Sequence, residues 1–304
     1  MTESGLPFGR LMTAMVTPFT TDGALDTEGA ARLATYLVDE QGNDGLVING
    51  TTGESPTTTD AEKEALLRAV VDAVGDRAHV VAGVGTNNTK HTIELARSAE
   101  KVGVHGLLVV TPYYNKPPQA GLIAHFTAVA DAVDTPVMLY DIPHRAGVPI
   151  NTDTLVRLSE HPRIVAVKDA KGDLVGTSWV TARSDLAIYS GDDALTLALL
   201  GVGGVGVVGT STHFSGVGTK KMLEAFFAGQ HREALKWHHT LLPIFTGVFK
   251  TQGAILVKAG LKYIGLPAGP MRLPLVDATE AELTTFIADA GLAGIRLEAA
   301  GAAR

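Results

Sequence analysis

The chain has 304 residues, of which 45% are hydrophobic and 19% charged, and a formal net charge of −7. That composition excludes a disordered chain, and the length allows a large core without covalent staples. The absence of cysteine excludes disulfides, thiolate nucleophiles, iron–sulfur clusters and sulfur-ligated zinc. Net negative charge without a basic cluster gives no reason to expect nucleic-acid binding.

Met1 to Arg10 carries Glu3 and no cationic region. The apolar run Leu11 to Val16 is too short for a signal-peptide core. No run approaches the ~20 apolar residues that span a bilayer. The reading is a soluble, cytoplasmic protein with no membrane association.

From Leu11 onward, short apolar runs alternate with helical periodicity. The first run, Leu11–Val16, precedes a helix over Thr27–Glu40 with Ala30, Leu33, Ala34 and Leu37 on one face. Gly45–Asn49 is followed by a helix over Asp60–Val74, and His79–Val84 by one over Thr89–Val102. Gly106–Thr111 leads to Gln119–Val133, and Pro136–Tyr140 to Thr152–Ser159. Ile164–Lys168 and Leu186–Ser190 come next, the latter with a helix over Asp193–Leu200, and Val205–Val208 is the eighth run. These runs are continuously apolar rather than alternating, as parallel strands covered on both faces must be.

Eight such units with no break in composition predict an α/β fold, a closed (β/α)8 TIM barrel; an open doubly wound sheet would use the same alternation. Helices over Thr219–Ala228, His231–Phe245, Gln252–Gly265 and Ala278–Ala290 exceed what a barrel needs. The expected division is a barrel over residues 1–230 and a C-terminal helical extension over 231–304. The tail after Gly291, rich in alanine and glycine, is expected to fray.

In a barrel the chemistry sits where the strands end. After the second strand, Gly50-Thr51-Thr52-Gly53-Glu54 offers hydroxyls and backbone N–H groups to a small anion. After the fourth come Tyr113 and Tyr114 on a proline-stiffened loop, which also suits packing or an interface. The fifth ends in Tyr140-Asp141-Ile142-Pro143-His144-Arg145, where Arg145 suits a carboxylate or simply the surface. The seventh ends in Gly191-Asp192-Asp193, with aspartates able to cap a helix. Lys168 closes the apolar sixth run. Burial there would disfavour its charge and leave an amine able to form a Schiff base with a ketone. The bland alternative is an ammonium snorkelled into water beside Asp169.

Other signals fail. Gly201-Val202-Gly203-Gly204-Val205-Gly206 fits a dinucleotide pattern but runs from a helix into a strand, the reverse of the required context. No phosphate-binding loop or serine elbow is present, and His238 and His239 face about 100° apart, which makes them poor joint metal ligands. No metal site is expected.

Four segments, Gly50–Glu54, Thr111–Tyr114, Tyr140–Gly147 and Val167–Asp169, together resemble the dihydrodipicolinate synthase and N-acetylneuraminate lyase family. The resemblance runs from Leu11 through the C-terminal helices. It implies a pyruvate-dependent class I aldolase on a (β/α)8 barrel that needs no cofactor. Two threonines in the loop after the second strand, and an arginine at 145, resemble the synthase branch. That branch condenses pyruvate with L-aspartate 4-semialdehyde in lysine and diaminopimelate biosynthesis. By the resemblance Lys168 forms the Schiff base, and Thr51 and Thr52 hold the pyruvate carboxylate. Tyr140 shuttles protons, and Thr51 links it to Tyr114 of a neighbouring subunit. Arg145 receives the carboxylate of the second substrate, while Gly191 and Val208 line the pyruvate pocket. A homotetramer is implied.

Another pyruvate-dependent lyase of sialic or ketodeoxy acids, or a silent pyruvate-binding paralogue, are the alternatives. Retention of Lys168, Tyr140, Thr51 and Tyr114 together speaks against silence. The chain departs from the family pattern at His144. It also carries Lys63 and His91 where lysine-inhibited members place groups that bind the inhibitor, so weak or absent inhibition by lysine is expected.

Overall fold

The computed structural model describes residues 6–301. Eight short strands close into a parallel barrel in sequence order: β1 Leu11–Ala14, β2 Gly45–Ile48, β3 His79–Gly83, β4 Gly106–Val110, β5 Val137–Asp141, β6 Ile164–Asp169, β7 Ala187–Ser190 and β8 Gly206–Gly209. Closure comes from the register of β1 on both neighbours, with Met12 opposite Gly45 of β2 and Val208 of β8. All eight apolar runs become strands.

Alternation along each strand sorts its side chains. Met12, Val47, Val81, Met138 and Ala166 fill the barrel interior, and Phe8 is buried among them. The other face, with Leu46, Val80, Leu107, Leu139 and Val167, meets the surrounding helices. Helix α1 (Thr27–Thr35) continues through a wider π turn, Tyr36–Glu40, and α2 (Asp60–Val74) opens on a capping box between Thr59 and Glu62. Helices α3 (Thr89–Val102) and α4 (Gln119–Asp131) follow; Phe126 of α4 is fully buried. Burial of a side chain of that size stabilises by about 1.5–3 kcal/mol.

Beyond β5 come the single turn α5 (Pro143–Ala146) and α6 (Thr152–Leu158); beyond β6 comes α7 (Leu174–Arg183). Sequence periodicity misses α7, because Val175, Gly176, Thr177 and Thr181 are weak helix formers. Asp173 holds its start by accepting from the Gly176 N–H at 2.9 Å, and Thr177 and Val180 are buried. After α8 (Thr196–Leu200) and β8, α9 (Thr212–Phe227) starts seven residues before the expected Thr219. Glycine is a poor helix former, but a Cβ at Gly216 would sit 2.4 Å from the Gln41 carbonyl, so tight packing selects glycine in this first part of the helix.

Helix α10 (His231–Gly247) packs on α9, and α12 (Glu280–Leu292) packs on α10 and on α11 (Gly253–Tyr263). The described part of the tail is anchored rather than frayed: Ile295 and Leu297 pack against the core, and the Ala300 N–H donates to the Tyr263 carbonyl at 2.8 Å. Residues 302–304 of that tail lie outside the described residues. Among the described residues, no helix is long and apolar enough to cross a membrane.

Candidate active site

Lys168 is the fifth residue of β6, in register with Tyr140 of β5 on one side and Tyr189 of β7 on the other. Since Ala166 faces the barrel interior, so does Lys168, two residues on. Its Nζ lies 4.4 Å from the centroid of the Tyr140 ring, and the residue is 5% exposed. Burial pushes its pKa from 10.5 down to about 8; Arg145 adds to that, and the Asp193 carboxylate opposes it. The snorkelled alternative therefore does not hold.

Tyr140 is buried too, and burial raises its pKa well above the usual range, with Arg145 and the Thr51 side chain pulling the other way. A phenol in that state remains protonated at neutral pH, beside an amine that is partly free. Thr51 and Thr52 follow β2 in a tight turn, in which Gly53 and Ser55 both donate to the Gly50 carbonyl. The Thr17 hydroxyl donates to Gly53 O at 2.7 Å and ties the turn to the segment after β1. Gly191 stands against the lysine: a Cβ there would lie 3.0 Å from both Cγ and Cε of Lys168. Any larger residue would press on the lysine side chain and shift it.

Six of the residues singled out from sequence, Thr51, Thr52, Tyr140, Arg145, Lys168 and Gly191, line one cavity of about 470 Å³. Its far wall comes from α10, α11 and their connection, through Phe245, Phe249, Gln252 and Gly253. An adjoining cavity of about 400 Å³ shares Thr51, Tyr140 and Arg145 and extends to Lys63, His91 and Tyr113. A larger cavity, about 810 Å³, opens at the opposite end of the barrel near Arg77, His79 and Lys220. There Arg77 is paired with Asp39 and Lys220 with Asp44, and no buried amine faces it, so size alone does not locate the chemistry.

Two residues stand apart from that cavity. Val208 is buried in the inner layer of the barrel, and Tyr114 is 87% exposed, its N–H donating to the Ala146 carbonyl at 3.3 Å. Within one chain Tyr114 does not reach Thr51. Among the described residues, no cluster of three or more His, Asp or Glu is placed to hold a metal. The segment Gly201–Gly206 runs from α8 into β8, helix to strand.

An amine-bearing barrel mouth narrows the chemistry, and the comparison with known sequences decides the lineage. The model of the dihydrodipicolinate synthetase family matches residues 7–291. The chain belongs to that family. Among relatives in the dihydrodipicolinate synthetase family, the 4-hydroxy-tetrahydrodipicolinate synthase of Acidothermus cellulolyticus is 67% identical over 97% of this chain and 96% of that protein. The 4-hydroxy-tetrahydrodipicolinate synthase 2 of Streptomyces coelicolor is 65% identical over 96% of this chain and 97% of its own length. A solved structure of the Cyanidioschyzon merolae enzyme with lysine bound superposes with a TM-score of 0.92. It shares 43% identity and covers 95% of this chain and 99% of that one.

For this member of the dihydrodipicolinate synthetase family, sequence reasoning undervalued Asp193. Neither aspartate caps α8, whose N-cap is Leu195 with no side-chain bond; Asp192 accepts from the Ala194 N–H at 2.9 Å in the turn that precedes the helix. Asp193 is instead buried and accepts from the N–H groups of Thr210 and Ser211, each at 3.0 Å, and from the Ser211 hydroxyl at 2.5 Å. Its charge acts on Lys168. The available signal was the doubled aspartate, of which the turn after β7 uses only Asp192.

Proposed function

We propose that the chain condenses pyruvate with L-aspartate 4-semialdehyde, the 4-hydroxy-tetrahydrodipicolinate synthase reaction for which its relatives are named. The observation that carries this is the buried Lys168 amine lying against Tyr140 in a cavity that also holds Arg145. The neutral amine adds to C2 of pyruvate, and Tyr140 relays the proton that lets the hydroxyl leave as water, giving an iminium. Loss of a methyl proton yields an enamine, whose carbon attacks the aldehyde of the second substrate. The amino group of that substrate then displaces Lys168 and closes the ring.

Thr51 and Thr52, with the N–H groups of their turn, hold the pyruvate carboxylate. Arg145 takes the carboxylate of the semialdehyde, for which a planar fork of donors suits better than a point charge. Gly191 shapes the pyruvate pocket, and Val208 supports it from the inner layer of the barrel. Tyr114 completes a Tyr–Thr–Tyr hydroxyl relay in a second copy of the chain, a role its exposure supports. Val175 and Trp179 of α7, 71% and 59% exposed, are further surface that a homotetramer would cover. We read residues 1–230 as the barrel and 231–304 as its helical extension, in a cytoplasmic enzyme.

Borohydride reduction in the presence of pyruvate, followed by peptide mass spectrometry, tests the reading: the adduct is expected on Lys168, and its absence refutes it. A coupled assay with a dihydrodipicolinate reductase separates semialdehyde from other aldehyde acceptors. Arg145→Ala should abolish turnover while pyruvate trapping persists.

A further inference from the structure

Glu54 ends the turn that carries Thr51 and Thr52, and its backbone is left-handed, at φ 57°. A non-glycine residue holds such a conformation only where its surroundings over-determine it. Here they do so through the carboxylate. Glu54 Oε1 lies 2.5 Å from Nζ of Lys258, each side chain 1% exposed, and Oε2 accepts from the Arg272 N–H at 3.0 Å. Lys258 also donates to the Pro270 carbonyl at 2.9 Å, with its ammonium 4.2 Å from the Phe19 ring centroid. The Arg272 guanidinium donates to Thr57 O at 2.9 Å and pairs with Glu62 at 2.6 Å, so the loop is held again just past Glu54.

Lys258 belongs to α11, whose first residues, Gly253 and Ala254, line the far wall of the cavity that Thr51 and Thr52 line from the near side. The buried pair therefore ties two opposite walls of one cavity together. We infer that Glu54 and Lys258 are positioning residues for the reaction: their ion pair sets where the Thr51–Thr52 turn stands relative to the start of α11, and through it the pyruvate carboxylate relative to Lys168. This rests on the proposed function above. A staple needed for folding alone would leave turnover by the folded protein unchanged.

The variants are Glu54→Gln, Lys258→Met and the double substitution, each measured by melting temperature, by KM for pyruvate and kcat, and by borohydride trapping. Either single change strands a buried polar partner and lowers the melting temperature, whereas the double change removes both charges and restores most of it. The expected result is a folded double variant whose pyruvate KM is raised about tenfold or more, with slower trapping on Lys168, because small displacements of binding groups cost that much. Lys258→Arg, which keeps the pair, should recover part of the loss. A folded double variant with wild-type KM, kcat and trapping overturns the inference, as does failure of every variant to fold. No adduct on the wild-type protein takes down the reading of the site itself, and that outcome is distinct from an adduct forming equally in wild type and double variant.

Discussion

Enamine formation should switch on with rising pH, with an inflection near 8. Burial brings Lys168 from 10.5 to about 8, and only the free amine attacks a carbonyl. At pH 7 about one molecule in eleven then carries a neutral Lys168, against about one in three thousand for an ordinary lysine, a gain of about 300-fold in competent enzyme. The rate should rise about tenfold from pH 6 to 7 and flatten to less than about a twofold change above pH 8.5. The assay is exchange of the pyruvate methyl protons for deuterium, followed by proton NMR. It needs no second substrate, and its kcat/KM reports the free enzyme. Arg145→Gln supplies a second arm. A neighbouring cation disfavours the ammonium, so its removal should move the inflection upward, by a modest amount because Arg145 is solvent-exposed. An inflection at 10 or above in the wild type, or a downward move in Arg145→Gln, refutes the reasoning.

Gly191→Ala would place a Cβ 3.0 Å from Cγ and Cε of Lys168. Trapping with pyruvate should fall about a hundredfold with the melting temperature little changed, and unimpaired trapping would contradict the geometry. Tyr114→Phe deletes the hydroxyl of a residue that is 87% exposed in one chain, so a fall in kcat of about tenfold or more would locate it in a partner's site; wild-type kcat removes it from the relay. Lysine at millimolar concentration should leave activity intact. A lysine ligand would meet the Lys63 amine, held 2.5 Å from Thr58 O, and His91, paired with Asp60 at 2.9 Å; half-inhibition at submillimolar lysine would overturn this. His213 is fully buried, with Nε2 accepting from the Val16 N–H at 3.2 Å and Nδ1 donating to Thr210 O, and burial lowers its pKa to about 4. The unfolded chain binds that proton near pH 6.5. Stability should therefore fall by up to about 1.4 kcal/mol per pH unit on acidifying from 6.5 toward 4, and denaturant titration of His213→Asn should show a flatter slope.

Much of the fold and part of the site were legible in the chain. Parallel strands buried on both faces must be apolar throughout, which made all eight recognisable, and a charged residue ending such a run, Lys168, drew attention for the same reason. Glycine at 191 and hydroxyls at 51 and 52 were visible as chemistry at strand ends. Helix α7 was not, since its stability comes from the Asp173 cap and a buried face rather than from intrinsic propensity.

By itself, then, the sequence determined the barrel and pointed to one end of it and to an amine for the proposed chemistry, because periodicity and residue type are local properties. Tertiary structure alone decided the rest. It separated Asp192 from Asp193, turned Tyr114 outward, and brought Lys258 onto Glu54 across 204 residues of chain. Burial, electrostatics and the closing of ion pairs depend on what surrounds a group in space, which no stretch of neighbouring residues encodes.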